Sequence, residues 1–434
     1  MDPKIIQLPA GPIRVIPFYD TLIHARGIPY AKASRFQVPQ PTEPWTDVLD
    51  CTTRAPMCPQ LPSRLETVMG PLTKGHGMDE DCLRLSITAP QNATQAPVMV
   101  WLHGGAYISG SGDLDCYQGV DLARRGIVCV NISYRLGVFG YLRLEGIAPA
   151  NLGLLDQRAA LRWIQENIAT FGGDAKNITL VGQSAGADSI ICLMAAENTI
   201  GLFHRAILLS PPLRELKERT PTGPLVTEMA EKLFTKDPRD MSVDELLQVQ
   251  KTLLMNPVRK QIMLFAPNLG FDPLPKEQDF DRRIKEVIQD IPILIGWTAH
   301  DGRPFSSMMA PQSLLQLPVI GPYVEALGTW YITQSYFKWP ALQFHEQALR
   351  AGCTSTSYSF AWTADDNACG ACHCIDIPFV LGVWDAWKNA PMLKGGNAQE
   401  DVSRLGSELK DLWVDFMNGK ALKAGHIEIL KTIR

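Results

Sequence analysis

No uninterrupted apolar stretch in this 434-residue chain approaches the roughly 18 residues that a membrane-spanning helix requires. The opening residues, MDPKIIQLPAGPIRV, are broken by charge and proline and hold no apolar core of export-signal length. A cytoplasmic location is therefore expected. Lysine and arginine form no block, and the formal net charge is only −4, so a phosphate-tracking surface is absent and nucleic acid is excluded as a partner. Ten cysteines in 434 residues are too few for a disulfide scaffold. There is no internal repeat and no low-complexity tract. Asn92, Asn131 and Asn177 each open an Asn-x-Ser/Thr triplet, but the last two abut apolar runs, and all three are read as chance occurrences.

The chain does have a 46% hydrophobic and 20% charged composition, enough for a large buried core. Short apolar runs alternate with longer amphipathic segments, which predicts parallel strands joined by helices, an α/β architecture. Candidate strands are VMVWL (98–102), IVCVNIS (127–133), ITLVG (178–182), AILLS (206–210), ILIG (293–296) and STSYSFAW (355–362). Most are apolar at successive positions, so burial on both faces is expected. LLDQRAALRWIQENIATF (154–171) has helical spacing and stops at Gly172-Gly173, which predicts a crossover helix. One domain, residues 1–434, is expected, with cap-like insertions at about 213–290 and 302–347, where the composition shifts.

Within this frame VGQSAGAD (181–188) carries Gly-x-Ser-x-Gly with Ser184 at its centre. The pattern alone is common, and a Ser/Gly turn capping a helix is its bland reading. Here a strand-like run precedes it and a helix-compatible run, ADSIICLMAAE, follows, as a nucleophile elbow requires. At Gly182 and Gly186 a Cβ would crowd the strand-to-helix turn. The N–H of Ala185 would then face a developing oxyanion. HGGAY (103–107) directly follows another predicted strand, where such folds supply further N–H donors.

CGACHC (369–374) admits four readings: a c-type haem attachment site, a zinc cluster, a redox pair, or a catalytic histidine with incidental cysteines. Haem attachment needs an exported chain, and zinc sites draw ligand pairs from two separate loops, whereas this chain has no second pair. Thiol oxidation stays open.

The sequence resembles the type-B carboxylesterase, or cholinesterase-like, family of the α/β-hydrolase fold. The resemblance rests on GIPYA (27–31), CPQ (58–60), DEDCLRLSI (79–87), VMVWLHGGAY (98–107), NISYRLGVFGYL (131–142), residues 151–187, GWTAHDGRPF (296–305) and GACHCIDIPFVLG (370–382), with a weaker match at LWVDFMNG (412–419). It implies a mostly parallel twisted sheet flanked by helices. It also implies a serine hydrolase acting on small-molecule carboxylic esters with no cofactor or metal: Ser184 as nucleophile, His373 as general base and Asp301 as its acid partner, with Gly105, Ala106 and Ala185 forming the oxyanion hole. Cys58 and Cys82 match positions that often form a disulfide in this family.

The chain departs from the family in several places. Asp301 stands where glutamate is usual, one methylene shorter. Gln183 replaces the glutamate of the common Gly-Glu-Ser-Ala-Gly, which removes a negative charge beside the nucleophile. Residues 59–81 contain no Phe, Tyr or Trp, where choline-hydrolysing members carry a tryptophan for the cationic head, so choline esters are not expected as substrates. The segment after GIPYA and the 72 positions from Asp301 to His373 are short for the family, so reduced caps are expected. Tyr107, Trp297 and Phe379 adjoin the motifs and are candidates to line the substrate pocket. Lactonase, thioesterase or acyltransferase chemistry on the same triad, and a non-catalytic binding role, are the competing functions.

Overall fold

Runs such as VMVWL and ILIG are apolar at every position, so neither face of a strand built from them tolerates water. The computed structural model of the protein describes residues 3–19, 21–218, 222–256, 262–310, 312–420, 422 and 430–433. In it these runs form the middle of a twelve-stranded sheet. The strands are β1 (Lys4–Gln7), β2 (Pro12–Phe18), β3 (Leu22–Pro29), β4 (Leu49–Asp50), β5 (Arg84–Pro90), β6 (Ala96–Leu102), β7 (Val128–Ile132), β8 (Gly173–Gln183), β9 (Arg205–Leu209), β10 (Ile293–Thr298), β11 (Ser355–Phe360) and β12 (Leu430–Ile433). Their order is β1-β2-β3-β5-β7-β6-β8-β9-β10-β11-β12, with β4 beside β2.

The six strands expected from sequence are the contiguous parallel block β7-β6-β8-β9-β10-β11. Alternation along each sorts its side chains onto two faces. Val98, Val100 and Leu102 of β6 enter one core, shared with the helix Leu152–Asn167 and the helix Ala185–Ala195. Met99 and Trp101 enter a second core, shared with the helix Ala398–Met417. Both faces are dry, which is why the runs read as uniformly apolar. The strands absent from the sequence expectation, β1 to β5 and β12, make antiparallel pairings or lie near an edge. Edge strands mix exposed and buried positions, as β1 does, and present no such run.

Helix Glu277–Ile288 falls within the first segment expected as a cap insertion and helix Trp339–Arg350 begins within the second, yet both pack onto the sheet. Phe280, Ile284 and Ile288 of the first, and Ala341, Phe344 and Ala348 of the second, belong to the first core. Each is the crossover that a parallel strand needs before β10 or β11. The cap proper is therefore smaller than the composition shift suggested, and residues 219–221, 257–261 and 311 of those segments lie outside the described residues. Among the described residues no helix is long and apolar enough to cross a membrane.

Candidate active site

The elbow is local chemistry made visible. β8 runs to Gln183, Ser184 turns at φ 56° and ψ −124°, and a helix begins at Ala185. A positive φ is costly for a residue with a Cβ, and it persists only where the surroundings enforce it. They do so by contact. A Cβ on Gly186 would lie 2.0 Å from the Leu102 carbonyl oxygen, and one on Gly182 would lie 2.5 Å from the Gly186 carbonyl carbon. The Ser184 N–H donates to the Leu209 carbonyl at 2.9 Å, tying the turn to β9.

After β6, the HGG turn brings a second set of N–H groups alongside. Gly105, Ala106 and Tyr107 all have positive φ, at 113°, 54° and 61°. The Gly105 carbonyl accepts from the N–H groups of Ile108 and Ser109, and Tyr134 anchors the turn by donating its hydroxyl to the His103 carbonyl at 2.7 Å. The strained conformation leaves the Gly105 and Ala106 N–H groups without an acceptor among the described residues. Ala185 opens its helix, so its N–H has no intrahelical acceptor.

Asp301 follows β10 and His373 follows β11, and both are fully buried. The two meet at 2.7 Å between His373 Nδ1 and Asp301 Oδ1. The other carboxylate oxygen, Oδ2, accepts from the Thr298 N–H at 2.8 Å and from the Ser210 hydroxyl at 2.9 Å. The aspartate, one methylene shorter than the family's glutamate, is thus held by three donors. Phe305 and Phe337 flank the imidazole with ring centroids 5.1 Å away on each, closing it off from solvent. Their elements, Arg303–Met309 and the π-type turn Thr333–Lys338, lie in the segment expected as the second cap insertion.

One contact differs from the expectation. Because Nδ1–H is given to Asp301, a neutral His373 offers Nε2 as an acceptor. That nitrogen is met at 3.0 Å by the side-chain amide of Gln183. The Ser184 hydroxyl, on a residue 7% exposed, has no hydrogen-bond partner among the described residues. A glutamate at 183 could not donate in this way; the amide can, and it rests on His373. Nucleophile–base bonds often tighten only when substrate is bound.

Tyr107, Trp297 and Phe379 turn inward. Tyr107 donates its hydroxyl to Asp188 and packs against Tyr141 with tilted rings, centroids 4.6 Å apart, Trp297 is buried on β10, and Phe379 packs between Phe360 and Trp362. Large aromatics next to motifs fill the core beneath the turns, so these three do not reach the cavity over the HGG turn. That cavity is lined instead by Leu65, Met69, Leu72, Tyr117, Gln183 and Cys374, among others, with no charged side chain. Four of these six, Leu65, Met69, Leu72 and Tyr117, were invisible to motif reasoning because they come from loops and single-turn helices without a pattern. Cys58 and Cys82 stand as buried, neighbouring thiols. In CGACHC the side chains fan apart: His373 faces Asp301, Cys374 faces the cavity, and Cys369 lies against Cys372. Among the described residues no group of three or more His, Cys, Asp or Glu side chains converges as metal ligands would.

A second carboxyl lies within reach of the Asp301 charge. Asp376 is buried, and its oxygens meet no donor at hydrogen-bond geometry; only the N–H groups of Asp376 and Ile377 lean toward them. Burial, aided by the charge of Asp301, pushes its carboxyl up to about 7. On unfolding the group returns to the ordinary range, about 3.9, so between roughly pH 4 and pH 7 the folded chain keeps a proton that the unfolded chain releases. Stability therefore falls as pH rises through that window. Asp376→Asn, which cannot ionise, is expected to remove roughly 2–3 kcal/mol of the loss between about pH 5 and about pH 8. Urea unfolding at the two pH values checks this; equal pH dependence in variant and wild type would refute it.

Strand tips carrying an elbow serine, a buried Asp–His pair and unpaired N–H groups define the α/β-hydrolase class. The family model described as "Carboxylesterase family" matches residues 14–317. The chain belongs to that family and is a carboxylic-ester hydrolase. It is 36% identical over 407 residues to the "Probable N-octanoylanthranilate hydrolase AqdA2" of Rhodococcus erythropolis, covering 92% of this chain and 89% of the relative. It is 33% identical to the para-nitrobenzyl esterase of Bacillus subtilis (strain 168), covering 90% and 85%. A solved PNB esterase superposes with a TM-score of 0.83 at 28% identity, covering 99% of this chain and 93% of that one.

Proposed function

We propose that the chain cleaves uncharged carboxylic esters through an acyl-enzyme formed on Ser184. The observation that carries this reading is the buried His373–Asp301 bond at 2.7 Å, set at the strand tips beside an elbow serine. Substrate entering over the HGG turn displaces the Gln183 amide from Nε2, and the Ser184 hydroxyl takes its place. His373 accepts the serine proton as Oγ bonds to the ester carbon, and Asp301 stabilises the imidazolium. The carbonyl electrons move onto oxygen, where the N–H groups of Gly105, Ala106 and Ala185 receive them, each worth about 10²–10³ in rate. Collapse breaks the bond to the alcohol oxygen, which takes the proton from His373. Water, deprotonated by the same base, then releases the acid.

The cavity's neutral lining favours apolar acyl or alcohol groups over a cationic head, in keeping with a relative named for para-nitrobenzyl substrates. A panel of p-nitrophenyl esters, p-nitrobenzyl esters, lactones, thioesters, anilides and choline esters tests the reading. Turnover is expected on the neutral aryl and benzyl esters, with little on choline esters, and an organophosphate should label Ser184. Absence of labelling, together with no ester turnover, would end the proposal.

A further inference from the structure

Catalysis leaves two thiols of CGACHC unused, and they are not equivalent. Cys372 is buried, whereas Cys369 is half-buried and reaches solvent. Their thiols neighbour one another across the two intervening residues, Cys369 packing against the apolar cluster that holds Cys372. Asn367 shapes the turn between them: its side-chain oxygen accepts from the Cys369 N–H at 2.8 Å, and its amide donates to the Gly370 carbonyl at 2.8 Å. Gly370 sits at φ 62°, and a Cβ there would lie 2.6 Å from His300 Nδ1. The turn is therefore pressed against His300. The Ala371 N–H donates to His300 Nδ1 at 3.1 Å, and the Ala371 carbonyl accepts from the His300 N–H at 2.8 Å. His300 precedes Asp301, and Cys372 precedes His373. The two-thiol turn is thus the direct backbone link between the residues proposed as acid and base.

We infer that Cys369 and Cys372 form a reversible dithiol–disulfide pair whose oxidation lowers turnover by displacing His373 from Asp301. The inference rests on the triad reading above for its effect, though not for the chemistry of the thiols. The neighbouring Cys372 thiol, aided by Arg303, pulls the Cys369 thiol down to about 7, and the same proximity together with burial pushes Cys372 up. This division suits an attacking and a resolving cysteine. With a small-molecule disulfide as oxidant, the Cys369 thiolate attacks one sulfur and expels the first thiolate, leaving a mixed disulfide. Cys372 then loses its proton, attacks the Cys369 sulfur and expels the second thiolate. Two protein thiols become one disulfide, and the oxidant is reduced to two thiols. The sulfurs must close to about 2.05 Å. That movement draws on Gly370 and Ala371, the residues that hold His300.

The test equilibrates the full-length protein with mixtures of oxidised and reduced glutathione, blocks free thiols, maps the peptides by mass and measures p-nitrophenyl ester turnover on the same samples. The expected result is a Cys369–Cys372 linked peptide that rises with the oxidised fraction. The kcat is expected to fall by about 10- to 100-fold, the scale of a misplacement near 1 Å at a catalytic group, and dithiothreitol should restore it. Cys369→Ser, at the accessible position, should keep the reduced turnover under oxidant, while Cys374→Ser should still lose its turnover on oxidation. Oxidised protein without the 369–372 linkage, or with the linkage at unchanged kcat, would overturn the inference. Organophosphate labelling of Ser184 in the reduced protein separates the two readings: its absence counts against the triad, whereas the linked peptide is scored by mass alone.

Discussion

Ser184→Ala is expected to lower kcat/KM on a p-nitrophenyl ester by about 10⁴-fold or more, with the fold intact. The loss is large because no other group can accept the acyl chain. The oxyanion N–H groups and the cavity remain, so a residual advantage over water should survive. Folding should hardly change. Alanine keeps the Cβ that already sits at φ 56°, and the lost hydroxyl has no hydrogen-bond partner to orphan. A stability change within about 0.5 kcal/mol is therefore expected. Steady-state kinetics and thermal unfolding on one preparation check both halves. Turnover like that of the wild type would mean that the acyl-enzyme forms elsewhere or not at all.

Asp301→Asn is expected to cost about 10⁴-fold in kcat, close to the effect of losing the base, although the shape hardly changes. The reason lies in the two donors behind the carboxylate. Thr298 N–H and the Ser210 hydroxyl both point at Oδ2, so an asparagine must turn its carbonyl oxygen toward them. Its amide then faces His373 Nδ1 as a donor. The imidazole can meet that amide only by placing its own proton on Nε2, the tautomer that cannot take a proton from Ser184. Asp301→Glu, which restores the family's more common residue, keeps the acceptor and should lose far less, limited by space for one methylene. Kinetics of the two variants side by side make the check. An asparagine variant that turns over as fast as the glutamate variant would show that tautomer control is not what Asp301 supplies.

What could be read in advance divides along physical lines. The parallel strands were legible because burial on both faces leaves a continuous apolar run. β1 to β5 were not, because an edge or antiparallel strand shares its surface with water and its residues with loops. Gly182 and Gly186 announced the elbow because the crowding they relieve is mostly local. The cavity residues Leu65, Met69 and Leu72 announced nothing, since any apolar loop residue would read the same. Tyr107 and Phe379 were placed near the site by their neighbours in sequence, yet their size directs them into the core beneath it.

From the order of residues alone came the class of fold and the family, together with the Gly-x-Ser-x-Gly turn around Ser184, because tight turns and two-sided burial impose their demands on consecutive positions. The tertiary structure alone decided that Asp301 is pinned by Ser210, that Gln183 rests on Nε2 of a histidine 190 positions away, and that Cys369 lies against Cys372 beside His300. Those contacts are set by how strands β8 to β11 align their tips, and that alignment is a property of packing that no short stretch of chain contains.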